Sequence, residues 1–300
     1  MNKNNEIERL TGMIVPLITP FNADESINYP VLERLINFLV KSEIHGILLG
    51  GSTGEYSLMS MDERKSIIDF GSKIINNRTK VIAGCSCYRP KDTLEMISFA
   101  ESAGAKYGLV LPPYYMQTTD EGILAYYKEL AASTKMGIII YHYPQATGVR
   151  LGPELVFQLA KINNIVGIKD TDTMANTAKL IDITKGIDNF SVINGEEYNI
   201  LGTLAMGGDG CMGILFNLVP EEMVALYEAV ISNDIRKAKE IYIKLLPLYG
   251  VMEEEPYPGP IKAALELKGF SVGIPRKPIT QASSHMHEKI KKMLYETGVL

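Results

Sequence analysis

Lys169 closes the run Asn164-Ile165-Val166-Gly167-Ile168-Lys169-Asp170-Thr171. The apolar stretch before it, bounded by Asn and Gly, reads as a short buried strand. Burial disfavours an ammonium ion relative to the neutral amine. A neutral lysine is a nucleophile that can form a Schiff base with a ketone. The same run also admits a lysine that extends past the strand end into solvent or pairs with Asp170. On this segment alone both readings stand.

A second group could do chemistry with it. Gly50-Gly51-Ser52-Thr53-Gly54-Glu55 follows an apolar run. Glycines let backbone amides approach a ligand, and a turn of successive amides makes an anion-binding concavity. The hydroxyls of Ser52 and Thr53 add hydrogen bonds suited to a small carboxylate. An ordinary glycine-rich turn would look the same. No Gly-Lys-Ser/Thr follows, so the turn is not a P-loop. Tyr141 ends another apolar run, and a held, polarised phenol can relay protons. The chain has 16 tyrosines, so one at a strand end gains meaning only from its neighbours. Tyr114-Tyr115 is a further candidate, with interface packing as its bland alternative. His142 and Asp170 alternate away from Tyr141 and Lys169 along their strands and read as structural. Glu196 and Glu197 could contact substrate hydroxyls or be solvated loop charges. No His/Asp/Glu set has metal-ligand spacing at the strand ends, so no catalytic metal and no cofactor are expected.

These groups need elements to position them. Strand-like runs recur at Met13–Ile18, Gly46–Gly50, Lys80–Gly84, Tyr107–Leu111, Gly137–Tyr141, Ile165–Lys169, Phe190–Ile193 and Gly210–Leu215. Helical patterns lie between most of them, among them Tyr29–Val40, Thr93–Ala103 and Pro153–Lys161. Eight strands alternating with helices predict an α/β fold, a (β/α)8 TIM barrel. An open doubly wound sheet would call for a G-x-G-x-x-G turn after the first strand, and there is none. After about Pro220 the strand pattern stops. Glu221–Ser232, Asp234–Leu246, Gly259–Leu267 and His285–Glu296 read as helices. The expected division is a catalytic barrel, residues 1–219, and a C-terminal helical extension packed on it, residues 220–300. Glu253–Pro260 is the clearest loop. In such a barrel chemistry sits at the C-terminal strand ends, which is where Lys169, Tyr141 and the Gly51–Glu55 turn fall.

Composition bounds the rest. At 46% hydrophobic and 22% charged, 300 residues can bury a sizeable core. A net charge of −5 gives no support for nucleic-acid binding. No apolar run is long enough to span a bilayer, and the polar start Met1–Glu6 leads into no signal-peptide core. A cytoplasmic location is therefore expected. Three cysteines, Cys85, Cys87 and Cys211, make no disulfide framework. Cys85 and Cys87 are expected on one side of a strand, in packing roles.

Several motifs, taken in order, resemble the dihydrodipicolinate synthase/N-acetylneuraminate lyase family. They are Val15–Phe21, Gly51-Ser52-Thr53-Gly54-Glu55, Pro113-Tyr114-Tyr115, Tyr141-His142-Tyr143-Pro144 with Thr147-Gly148, Gly167-Ile168-Lys169-Asp170-Thr171, and Arg276–Ile279. The resemblance spans nearly the whole chain. It implies a metal-independent class I aldolase: a TIM barrel with a C-terminal helical extension, usually a homotetramer, acting on pyruvate. Carried over by motif, the Schiff-base lysine is Lys169 and the proton-shuttling tyrosine is Tyr141. The carboxylate-holding turn is Gly51, Ser52 and Thr53, with Thr53 also aiding proton transfer. Tyr115 matches the tyrosine that, in the synthases, reaches into a neighbouring subunit's site. Met212 falls where a main-chain carbonyl lies near the lysine, and Thr171 and Glu197 complete the substrate-binding set.

Two positions depart from the pattern. The synthases carry an arginine that grips the aldehyde substrate's carboxylate, and here the position is Ala146. Alanine supplies no bidentate contact. Neuraminate lyases carry Asp-Glu after the seventh strand, where this chain has Glu197-Tyr198. The expected function is a Schiff-base lyase acting on pyruvate or a hydroxylated 2-keto acid, by aldol cleavage, condensation or dehydration. The alternatives are dihydrodipicolinate synthase, with Arg150 or a partner residue standing in for the missing arginine, and a non-catalytic 2-keto-acid binder.

Overall fold

The computed structural model describes residues 7–300; the polar start read at Met1–Glu6 lies outside the described residues. Eight strands run β1 (Gly12–Pro16), β2 (Gly46–Leu49), β3 (Lys80–Gly84), β4 (Tyr107–Val110), β5 (Gly137–His142), β6 (Ile165–Asp170), β7 (Ser191–Asn194) and β8 (Gly210–Met212). They pair in sequence order and close into a barrel, and the pairings from β3 through β8 are parallel. Apart from half-buried Lys80, every strand residue is buried. Strands covered on both faces read as continuous apolar runs, which is why their order was legible. Helices alternate with the strands, as the TIM-barrel reading expects.

The helices start and stop for local reasons. Tyr29–Lys41 is capped by the Asn28 side chain, which accepts from the Val31 amide. It buries Val31, Leu32, Leu35, Ile36 and Leu39 as one stripe, each worth about 1.5–3 kcal/mol. Met61–Ile75 opens on a full capping box between Ser60 and Glu63.

Three boundaries differ from expectation. The last strand stops at Met212 and gives way to a 3₁₀ turn, Ile214–Asn217. That turn aims the Asn217 amide back at β1, where it accepts from the Ile18 amide (3.1 Å) and donates to the Pro16 carbonyl (3.0 Å). Cys85 and Cys87 lie beyond the end of β3, and neither is in a disulfide. The helix expected to stop before Pro247 runs Ile235–Met252 straight through it. Proline costs an interior helix one hydrogen bond. Burial of Leu245, Leu248, Tyr249, Val251 and Met252 around that position offsets the loss.

The described residues form two compact units: residues 7–11 with Ile82–Cys211, and Gly12–Val81 with Met212–Leu300. In the second unit, helix Pro220–Ile231 packs on β1 and on helix Ile235–Met252, and Gly259–Leu267 packs on Ser284–Glu296.

Candidate active site

In the first unit, the register of β5 against β6 sets Tyr141 beside Lys169. Both side chains are buried, Lys169 being only 6% exposed. The Lys169 amine lies 3.3 Å from the Tyr141 hydroxyl and 4.3 Å from that ring's centroid. The snorkelling alternative is thereby corrected: the lysine ends inside, because its strand neighbour's ring holds it there. The Tyr141 ring is in turn stacked on Tyr143 at 5.8 Å.

Behind this pair, on the opposite strand face, lies a satisfied polar cluster. The Leu151 amide donates to His142 Nε2 (3.2 Å), so Nδ1 carries the proton and donates to Asp170 (2.7 Å). Asp170 also accepts from Asn176 and Thr177. Both residues are fully buried, and strand alternation had assigned them this structural place.

Gly195 explains how the lysine fits. A Cβ there would lie 2.0 Å from Thr171 Oγ1 and 2.8 Å from Lys169 Cε. Only a glycine leaves room for both side chains, which also places the Thr171 hydroxyl next to the lysine stem. Thr171 is 5% exposed, and its hydroxyl has no hydrogen-bond partner among the described residues. One residue further on, buried Asp172 pairs with Arg150, and its Oδ1 is likewise unpartnered. Ala146 is exposed in the short helix Pro144–Thr147. Glu197 opens a 3₁₀ turn after β7, and Met212 is buried at the end of β8. Tyr115 is 81% exposed with φ +71°, its ring 6.2 Å from that of Tyr88. Among the described residues no group of three or more His, Cys, Asp or Glu side chains could hold a metal ion.

In the second unit, the turn after β2 begins with left-handed Gly50 (φ +66°) and ends with left-handed Glu55 (φ +62°). The Gly54 and Glu55 amides close it onto the carbonyls of Gly51 and Ser52, both at 3.0 Å. The Ser52 and Thr53 amides make no hydrogen bond among the described residues, so they are available to an anion. The buried Glu55 carboxylate anchors the turn. It pairs with Lys262 at 2.6 Å and accepts from the Arg276 amide at 2.8 Å. Burial pushes the Lys262 amine below its usual range, with Glu55 opposing. Arg276 also pairs with Glu63. That contact is the main reason the Glu63 carboxyl is lowered to about 2. Thr53 is buried and accepts a short hydrogen bond from the Tyr257 phenol.

Sequence reasoning missed Gly195, Lys262 and Tyr257. Gly195 carried a faint signal as a glycine directly after a strand. Lys262 looked like one basic residue on a helix, and Tyr257 was hidden in the loop Glu253–Pro260.

Residues 9–297 match the dihydrodipicolinate synthetase family. The chain belongs to that family. The 4-hydroxy-tetrahydrodipicolinate synthase of Syntrophus aciditrophicus is 35% identical over 293 residues, covering 96% of this chain and 99% of the relative. The crystal structure of dihydrodipicolinate synthase from Thermotoga maritima superposes with a TM-score of 0.94 at 31% identity, covering 98% of this chain and all of that one. A prophage protein of the dihydrodipicolinic acid synthase family from E. coli K12, solved in complex with pyruvate, gives 0.92 at 30% identity, covering 97% and 99%. Membership in the dihydrodipicolinate synthetase family makes the chain an enzyme, a lyase of the Schiff-base type. The reading as a non-catalytic binder is set aside by that membership.

Proposed function

We propose that this dihydrodipicolinate synthetase family enzyme forms an imine between Lys169 and a 2-keto acid, and then cleaves or dehydrates a hydroxylated substrate. The observation that carries the imine is the buried Lys169 amine 3.3 Å from the Tyr141 hydroxyl. The amine attacks the ketone carbon, and the carbonyl oxygen takes up protons with Tyr141 and Thr53 as the relay. Water leaves, giving a protonated imine that acts as an electron sink. Loss of a proton from a hydroxyl two carbons beyond the imine carbon breaks the intervening carbon–carbon bond. The electrons pass to nitrogen as an enamine, which is protonated at carbon and hydrolysed to pyruvate. Dehydration uses the same sink: a proton leaves the carbon next to the imine and the β-hydroxyl departs as water. Gly51, Ser52 and Thr53 hold the keto-acid carboxylate, a proximity contribution. Thr171, Glu197 and Met212 line the remainder. Tyr115 acts from a neighbouring subunit of a cytoplasmic homotetramer.

Ala146 and Arg150 favour a hydroxylated 2-keto acid over an aldehyde bearing its own carboxylate. Alanine offers no donor, and the Arg150 guanidinium is engaged by buried Asp172. The second reading is the synthase reaction, condensing pyruvate with aspartate semialdehyde. Its support is the name carried by relatives 31–35% identical over nearly the whole chain.

Incubation with pyruvate and borohydride tests the first step. A covalent mass increase on Lys169, lost in Lys169→Ala, is expected; no adduct on the wild type removes the imine. A panel of 2-keto-3-deoxy sugar acids, sialic acid and aspartate semialdehyde then decides the second step. Turnover of the semialdehyde above every sugar acid would establish the synthase instead.

A further inference from the structure

We infer that Tyr257 is a positioning residue for the keto-acid carboxylate, acting through the Thr53 hydroxyl; this rests on the reading of the Gly51–Glu55 turn given above. Tyr257 and Thr53 are 204 residues apart in sequence, yet their hydroxyls share a short hydrogen bond. Its direction follows from acidity. A phenol, with a pKa of about 10, is a far better proton donor than an aliphatic alcohol, so Tyr257 donates and Thr53 accepts.

A threonine hydroxyl has one proton and two acceptor lone pairs, and its proton rotates to suit its surroundings. With the phenol donating into one lone pair, the Thr53 proton cannot point back at Tyr257 and is turned elsewhere. Among the described residues Tyr257 is the hydrogen-bond partner of that hydroxyl, and none of them accepts its proton. Thr53 is only 3% exposed. A buried donor turned away from its protein partner, with no acceptor among the described residues, calls for one from a ligand. The amides of Ser52 and Thr53 are vacant in the same turn. Three donors on two consecutive residues match the acceptor-only chemistry of a carboxylate, and bonds to a charged acceptor are the strong ones. Tyr257 thus narrows a rotor that would otherwise have to be ordered in full when the ligand arrives.

The test measures pyruvate binding by calorimetry, with borohydride trapping run in parallel on the same samples. Tyr257→Phe keeps the ring and removes the hydroxyl. It is expected to weaken pyruvate binding about tenfold, while the trapped adduct at saturating pyruvate keeps its full stoichiometry. In the Thr53→Val background the same substitution should change binding by less than about twofold, because the group it acts through is gone. In the Thr53→Ser background, which retains a hydroxyl, the loss should return. Thermal unfolding of each variant checks that the fold is kept. Unchanged affinity in Tyr257→Phe, or an equal loss with and without the Thr53 hydroxyl, overturns the assignment. If the wild type binds pyruvate and Tyr257→Phe weakens it, but no adduct is trapped, the imine fails and the role of Tyr257 stands. If the wild type neither binds nor traps pyruvate, both fail.

Discussion

Gly195 shows how a residue with no side chain can govern where a lysine side chain lies. A β-carbon at that position would press on Thr171 Oγ1 and Lys169 Cε together. The lysine stem would have to shift by a sizeable fraction of an ångström, and misplacement of about 1 Å costs on the order of a hundredfold in rate. Gly195→Ala should therefore cut the rate of pyruvate trapping on Lys169 by about that factor, while the far-ultraviolet circular dichroism stays that of the wild type. Trapping at the wild-type rate would mean that the pocket yields more easily than its spacing implies. Lys169 and Tyr141 were both legible as strand-end residues in adjacent βα units. Gly195 was not, because the clash it avoids involves Thr171 and Lys169, at the other end of a crossover.

At the scale of elements, the turn after β2 is held from below by charge. Glu55 and Lys262 are a buried pair, each about 1% exposed or less. Removing one partner strands the other in a medium that solvates it poorly. Lys262→Met should destabilise the fold by about 3–5 kcal/mol, read from denaturant unfolding, and Glu55→Gln with Lys262→Met together should cost less than Lys262→Met alone. The pair was invisible beforehand because its members lie on a loop and a helix far apart in the chain. Arg276 extends the network to Glu63, whose carboxyl sits at about 2 against an ordinary 4.5. A lowered carboxyl pKa contributes stability above 4.5 that is lost as pH falls through the window down to about 2. Glu63→Gln keeps a capping-box residue but not the charge. It should cost about 1–2 kcal/mol near neutrality, discounted for an ion pair partly open to solvent. The gap from the wild type should close as unfolding is repeated from about pH 5 down to about pH 2. A constant gap across that range would assign the contribution to packing instead.

Tyr115 is 81% exposed in a left-handed backbone conformation, beside Tyr88 at 59% and Met116 at 66%. An exposed aromatic cluster of this kind marks an interaction surface more often than a solvated one. If Tyr115 completes a neighbour's site, activity per chain should fall on dilution as sedimentation reports dissociation. Tyr115→Phe should lower turnover with the oligomer intact. Turnover per chain that stays constant through dissociation would place catalysis within a single chain.

The sequence by itself determined the family, the order of the eight strands and the places of Lys169 and Tyr141 at neighbouring strand ends. These properties are written in local signals: continuous apolar runs for strands buried on both faces, helical stripes between them, and motifs at strand ends. Only the tertiary structure decided what surrounds those motifs. The Tyr257 phenol on Thr53, the Lys262 amine on Glu55 and the glycine that makes room for Lys169 each join residues distant in sequence, and no period or spacing encodes such a contact. The same holds for the helix that continues through Pro247. Local propensity ends it there, and only the apolar surface buried around the proline makes the longer helix the more stable state.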